Sequence, residues 1–167
     1  GFRGGSPPQQ GRWWLALGCS TTFGWGVEQK DVWTEQLGQA LSIPVVNGGV
    51  PGWSTEQART GLKRWTGLNP ELILVSYLIR DAQYAQHSDR NAKATPWMFQ
   101  RRLFKMLLSQ IEPRTSSKDQ GQKVQRVSTK DFAENLDEIK NLWPQSQMVY
   151  FAFPHLTDLA KYEIELE

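Results

Sequence analysis

One cysteine, Cys19, in 167 residues excludes an internal disulfide, and two histidines, His87 and His155, leave no Cys/His spacing suited to a metal. No stretch reaches the roughly 18–20 apolar residues that a membrane-crossing helix needs. No signal peptide is visible, and the chain starts at Gly1 rather than Met, which leaves room for targeting information upstream. Excess charge is scarce too. Nineteen Lys and Arg against 17 Asp and Glu leave a net +2, too little to argue for nucleic acid or an anionic membrane as partner. What is present is ordinary for a globular chain with a core, 39% apolar and 22% charged residues, apart from eight tryptophans. Trp13, Trp14, Trp25 and Trp53 flank Gly-rich turns, where an aromatic wall suits a sugar or acyl group as well as a core.

Residues 1–12 are rich in Gly, Pro and Gln and read as an irregular arm ahead of a single domain over 13–167. A first strand is expected at about 13–18, then a helix capped by Asp31 with Trp33, Leu37, Ala40 and Leu41 on one face. Ile43–Asn47 reads as a second strand, and Ser54 with Gln57 has capping-box spacing for a helix running to about Trp65. Pro70–Tyr77 is a nearly continuous apolar run, as expected of a strand buried on both faces. Residues 82–96 read as loop, 97–111 as an apolar helix and 113–127 as a flexible polar segment. Ser128 and Asp131 then open a helix striped by Phe132, Leu136, Ile139 and Leu142. Met148–Phe153 forms a fourth strand, and 156–166 begins a further helix. Alternation of this kind predicts an α/β fold, a parallel sheet with helices on both sides.

Ligands of such sheets bind outside the carboxyl ends of the strands. The segments just past the first three strands contain Ser20, Gly52 and Asp81. Acyl transfer needs a nucleophile, a base and donors for a developing oxyanion. Ser20 can supply the first. The glycines at 48, 49 and 52 let backbone N–H groups approach a reacting oxygen closely.

Gly18-Cys19-Ser20-Thr21-Thr22-Phe23-Gly24 resembles the G-D-S-x-T-x-G block of the SGNH (GDSL-type) hydrolases, with Ser20 at the nucleophile position. Asn47-Gly48-Gly49-Val50-Pro51-Gly52 is similar to the second block, with Gly52 at an oxyanion-hole position. Leu72–Val75 leading to Arg80-Asp81 falls where the third block ends in Asn-Asp. Gly1-Phe2-Arg3-Gly4 is similar to an opening of bacterial, often extracytoplasmic or membrane-associated, members. The resemblance implies a three-layer α/β/α sandwich of flavodoxin-like type and an esterase, lipase or carbohydrate acyl hydrolase acting on a small-molecule or carbohydrate ester. It implies no cofactor. By that resemblance Ser20 attacks the ester carbonyl, while the Ser20 and Gly52 amides and an Asn side chain hold the oxyanion. A His three residues after an Asp near the C-terminus would act as base.

Three positions depart from the pattern. Cys19 replaces Asp, Arg80 replaces the oxyanion Asn, and no Asp-x-x-His occurs. Arg80 either donates in the Asn's stead or pairs with Asp81 or Asp89. His155, after the fourth strand, and His87, after the third, are the candidate bases. The chain is expected to lack the fold's last strand and helix. The alternatives to an ester hydrolase are a catalytically inactive binding module of the same fold and an O-acyltransferase.

Overall fold

The apolar run that ends at Gly18 forms strand β1, Trp14–Gly18, and its interior residues Leu15, Ala16 and Leu17 are wholly buried. The computed structural model describes residues 2–85, 87–94 and 123–152. Further strands are β2 (Val45–Asn47), β3 (Leu72–Ser76), β4 (Tyr84–Ala85), β5 (Val124–Gln125) and β6 (Gln147–Tyr150). The main sheet runs β2-β1-β3-β6 and every neighbouring pair is parallel. In register, Gly18 lies beside Ser76, and Val75 beside Tyr150. All carboxyl ends therefore share one edge.

Helices cover both faces, as the alternation predicts. Successive strand residues point to opposite faces, so Leu15, Leu17, Val46, Ile73 and Val75 share one core. Ala58 and Leu62 of the helical run after β2, and Ile139 and Trp143 near the C-terminal end of the last described helix, pack into the same core. That run is α3, Thr55–Gly61, continuing as a 3₁₀ turn to Trp65. On the other face α2 (Trp33–Leu41) packs against β2, with Thr34 accepting a 3.1 Å bond from the Asn47 side chain. Each wholly buried Leu or Ile contributes about 1.5–3 kcal/mol relative to exposure.

Short helices α1 (Ser20–Phe23), α4 (Leu78–Asp81) and α5 (Asp89–Ala94) leave the strand ends, and α6 (Thr129–Asn141) precedes β6. Ser54 and Gln57 form the expected capping box, and the Ser128 side chain accepts the Asp131 amide at 3.1 Å. The N-terminal arm is tied down. Arg3 pairs with Asn47 through its backbone, and its guanidinium donates to the carbonyls of Phe23, Gly24 and Val27.

Several boundaries differ from expectation. Asp31 sits in a 3₁₀ turn, Gln29–Asp31, and the cap of α2 is Val32. Burial of Val32 decides where the helix starts, outweighing the side-chain preference of Asp31. Residues 82–96 are not all loop, because Tyr84–Ala85 pairs antiparallel with Val124–Gln125 and α5 follows. That pairing also places residues 124–125 of the expected flexible segment in a strand. The helices expected at 97–111 and 156–166 lie outside the described residues, as does Phe153 of the fourth strand.

Candidate active site

Chain geometry brings Ser20 to the carboxyl edge as the first residue of α1, two positions past the end of β1. It is half-buried, and among the described residues its hydroxyl has no hydrogen-bond partner. Together with Trp25, Val27, Asp31 and Trp33 it lines an open cleft of about 420 Å³. Trp25 is 73% exposed, so it stands as a wall of that cleft, whereas Trp13 is core. Cys19 is buried, with its sulfur 3.1 Å from the Thr21 hydroxyl, and so is poorly placed to replace Ser20 as nucleophile.

Backbone bonds from Gly48 N to Ala16 O (2.8 Å) and from Val50 N to Gly18 O (2.9 Å) stitch the glycine turn to the end of β1. The buried Asn47 side chain completes the stitch. Its Nδ2 donates to Thr22 O at 2.7 Å and its Oδ1 accepts Gly49 N at 3.0 Å. The sequence reading does not single out Asn47 for this role, although an Asn opening a glycine turn is its local signal. Gly49 lies so close to α1 that a Cβ there would sit 2.4 Å from Phe23 N. Gly49→Ala is therefore expected to lower stability by about 1–3 kcal/mol through overpacking against main chain. Urea unfolding measures this, and an unchanged midpoint would contradict the close approach.

Gly52 has a φ of +83°, in the left-handed region, and nothing lies within 4 Å of where its Cβ would stand. Its carbonyl accepts from Arg80 Nε at 3.4 Å, while Arg80 Nη1 donates to Gln83 at 2.6 Å. Arg80 thus joins the Gly52 turn rather than Asp81 or Asp89. Those carboxylates are occupied elsewhere. Asp81, 2% exposed, accepts the Thr55 amide at 3.0 Å and the Thr55 hydroxyl. Asn135 of α6 donates to that same hydroxyl at 3.0 Å. Asp89 accepts Ser54 Oγ at 2.6 Å and two bonds from Arg126 at 3.0 and 2.7 Å. Buried Glu56 pairs with Arg59 at 2.8 Å. Ser54 and Thr55, just after the Gly52 turn, are thereby held by partners from distant segments, and Glu56 by Arg59 of its own helix.

Burial is the main cause that pushes the Asp81 carboxyl up to about 6 from its ordinary 3.8, and the Thr55 hydrogen bonds oppose it only in part. An unfolded chain loses this proton near 3.8 while the folded one keeps it to about 6. The stabilisation is full below the lower value and is lost as pH rises through the upper one. Wild type is expected to lose about 3 kcal/mol relative to Asp81→Asn across that window. Parallel denaturation curves at pH 4 and pH 7 read the difference, and equal changes in both proteins would refute it.

His87 is exposed, between β4 and α5, and His155 lies outside the described residues. Among the described residues no group of His, Cys, Asp and Glu side chains could hold a metal ion. No described helix is long and apolar enough to cross a membrane.

Fold and edge together define an α/β protein with a serine hydroxyl, unengaged among the described residues, where parallel sheets bind their ligands. No protein-family model and no curated protein matches the chain. Among solved structures it is similar to AlinE4, an SGNH-hydrolase family esterase, at 16% identity over 93% of this chain and 92% of that one, with a TM-score of 0.42. It is also similar to a protein from Desulfitobacterium hafniense assigned to the lipolytic G-D-S-L family, at 18% identity over 84% and 77% of the two chains, TM-score 0.42. A possible lipase from Chitinophaga pinensis is similar at 16% identity over 82% of this chain and 46% of that one, TM-score 0.47.

Proposed function

We propose that the protein is a serine-dependent ester hydrolase that works through an acyl-enzyme on Ser20, with a small-molecule or carbohydrate ester as substrate. The observation that carries this reading is the Ser20 hydroxyl, without a partner among the described residues, at the start of α1 in an aromatic-walled cleft. Ser20 Oγ attacks the ester carbonyl carbon, and the carbonyl oxygen becomes an oxyanion. The Ser20 and Gly52 amides receive it. Collapse of this intermediate breaks the bond to the alcohol, which leaves with a proton, and water then releases the acid from Ser20.

The proton of Ser20 passes through a general base. His155, which follows β6 in the sequence, is one candidate for that role. His87 is the second candidate. Arg80 is held at the Gly52 turn by its Nε and Nη1 bonds, and this reading assigns the oxyanion to the two amides rather than to its remaining N–H groups. A second reading, a binding module without catalysis, is favoured by Cys19 and Arg80 standing in place of the Asp and Asn of the resembled family.

Release of nitrophenol from a short acyl ester separates the two. Hydrolysis by wild type that disappears in Ser20→Ala supports the enzyme. Identical rates for both proteins refute it.

A further inference from the structure

Three described arginines, Arg3, Arg64 and Arg80, pair with no carboxylate, and of these Arg80 is the one bonded to the Gly52 carbonyl. Arg12, Arg59, Arg90 and Arg126 pair with carboxylates, Arg3 donates to three carbonyls, and Arg64 lies over the Trp53 and Trp65 rings. Arg80 instead has two neutral acceptors, the Gly52 carbonyl at 3.4 Å and Gln83 Oε1 at 2.6 Å. Among the described residues it pairs with no carboxylate. Its neighbour Asp81 is turned inward onto Thr55.

The guanidinium is therefore oriented without being neutralised, at the turn proposed to receive the substrate oxygen. Asp81 anchors α4 from below, which limits how far Arg80 can move. A fixed arginine with a planar donor face is suited to a carboxylate, and the bond is charge-assisted. Holding it in place beforehand also reduces the ordering cost of binding.

We propose that Arg80 is a specificity-determining residue that recruits esters carrying a carboxylate in their acyl or alcohol part. This rests on the ester hydrolase reading and names its substrate class. In the ester hydrolase reading the charge stands at the Gly52 turn and takes no part in bond making, so it selects among esters.

Two substrate pairs test it. The 4-nitrophenyl monoester of glutaric acid against 4-nitrophenyl pentanoate places the charge on the acyl side. The pair 3-acetoxybenzoate and phenyl acetate places it on the alcohol side. In wild type at low salt, the charged member of at least one pair is expected to have a kcat/KM about tenfold or more above its neutral partner. That ratio should fall to about one in Arg80→Gln, be partly kept in Arg80→Lys, and shrink in wild type at high salt, as a charge interaction reaching solvent must. Ratios that are the same in wild type and Arg80→Gln for both pairs overturn the proposal. If wild type hydrolyses none of the four, the hydrolase reading fails, and tryptophan fluorescence on Ser20→Ala decides the Arg80 claim. Binding of glutarate but not glutaramide, lost on adding Arg80→Gln, upholds it. Equal binding of both overturns it.

Discussion

Ser20→Ala is expected to lower kcat for a short nitrophenyl ester by about 10³-fold or more, with a much smaller change in KM. The asymmetry follows from what the side chain does. Its hydroxyl makes no bond to the described protein, so its loss opens no unsatisfied partner and leaves the cleft walls, Trp25 and Trp33, as they are. Binding should survive while bond making stops. The neighbouring nucleophiles offer no rescue, since the Cys19 sulfur is buried against the Thr21 hydroxyl. Folding should be unaffected, because Ser20 joins the structure through its carbonyl, which accepts Gly24 N at 2.9 Å and Trp25 N at 3.0 Å. A variant that lost activity together with its fold would not meet this expectation.

The second large effect is on stability. Asp89→Ala is expected to destabilise the protein by about 3–5 kcal/mol, because it leaves the Arg126 guanidinium, only 13% exposed, without its counter-charge. Two bonds to Arg126, at 3.0 and 2.7 Å, and one from Ser54 at 2.6 Å are lost together. For a chain of this size that corresponds to a fall in Tm of about 6–20 °C. The cost belongs to the orphaned charge more than to the pair itself. Asp89→Leu combined with Arg126→Met should therefore recover much of the loss. Scanning calorimetry on the single and double variants distinguishes these contributions. A double variant as unstable as Asp89→Ala would show that hydrogen bonding to Ser54, rather than charge, dominates.

Local signals explain what was legible from the chain alone. The apolar run into Gly18, the Ser54–Gln57 box and the buried stretch ending at Ser76 each carry their information within a few residues, and each formed as expected. The stripe of α6 is equally local, with Ile139 wholly buried. Residues 84–94 and 123–127 were not legible in this way. Tyr84–Ala85 finds its partner at Val124–Gln125, a pairing that no short window reveals. The same holds at the candidate site. Ser20 and Gly52 could be named from their places just past strand ends and Arg80 from the family resemblance, but the Asn47 clamp and the Asp89–Arg126–Ser54 cluster depend on contacts across the fold. Asp31 shows the opposite failure, a good local cap overruled by burial of the next residue, Val32.

The central claim is that the Ser20 oxygen is a nucleophile able to carry an acyl group. Reaction with a fluorophosphonate followed by peptide mapping by mass spectrometry tests it most directly. A single adduct on the peptide containing Ser20, located on its oxygen and absent in Ser20→Ala, is the expected result. An adduct elsewhere, or none under conditions that label a control serine esterase, would contradict it.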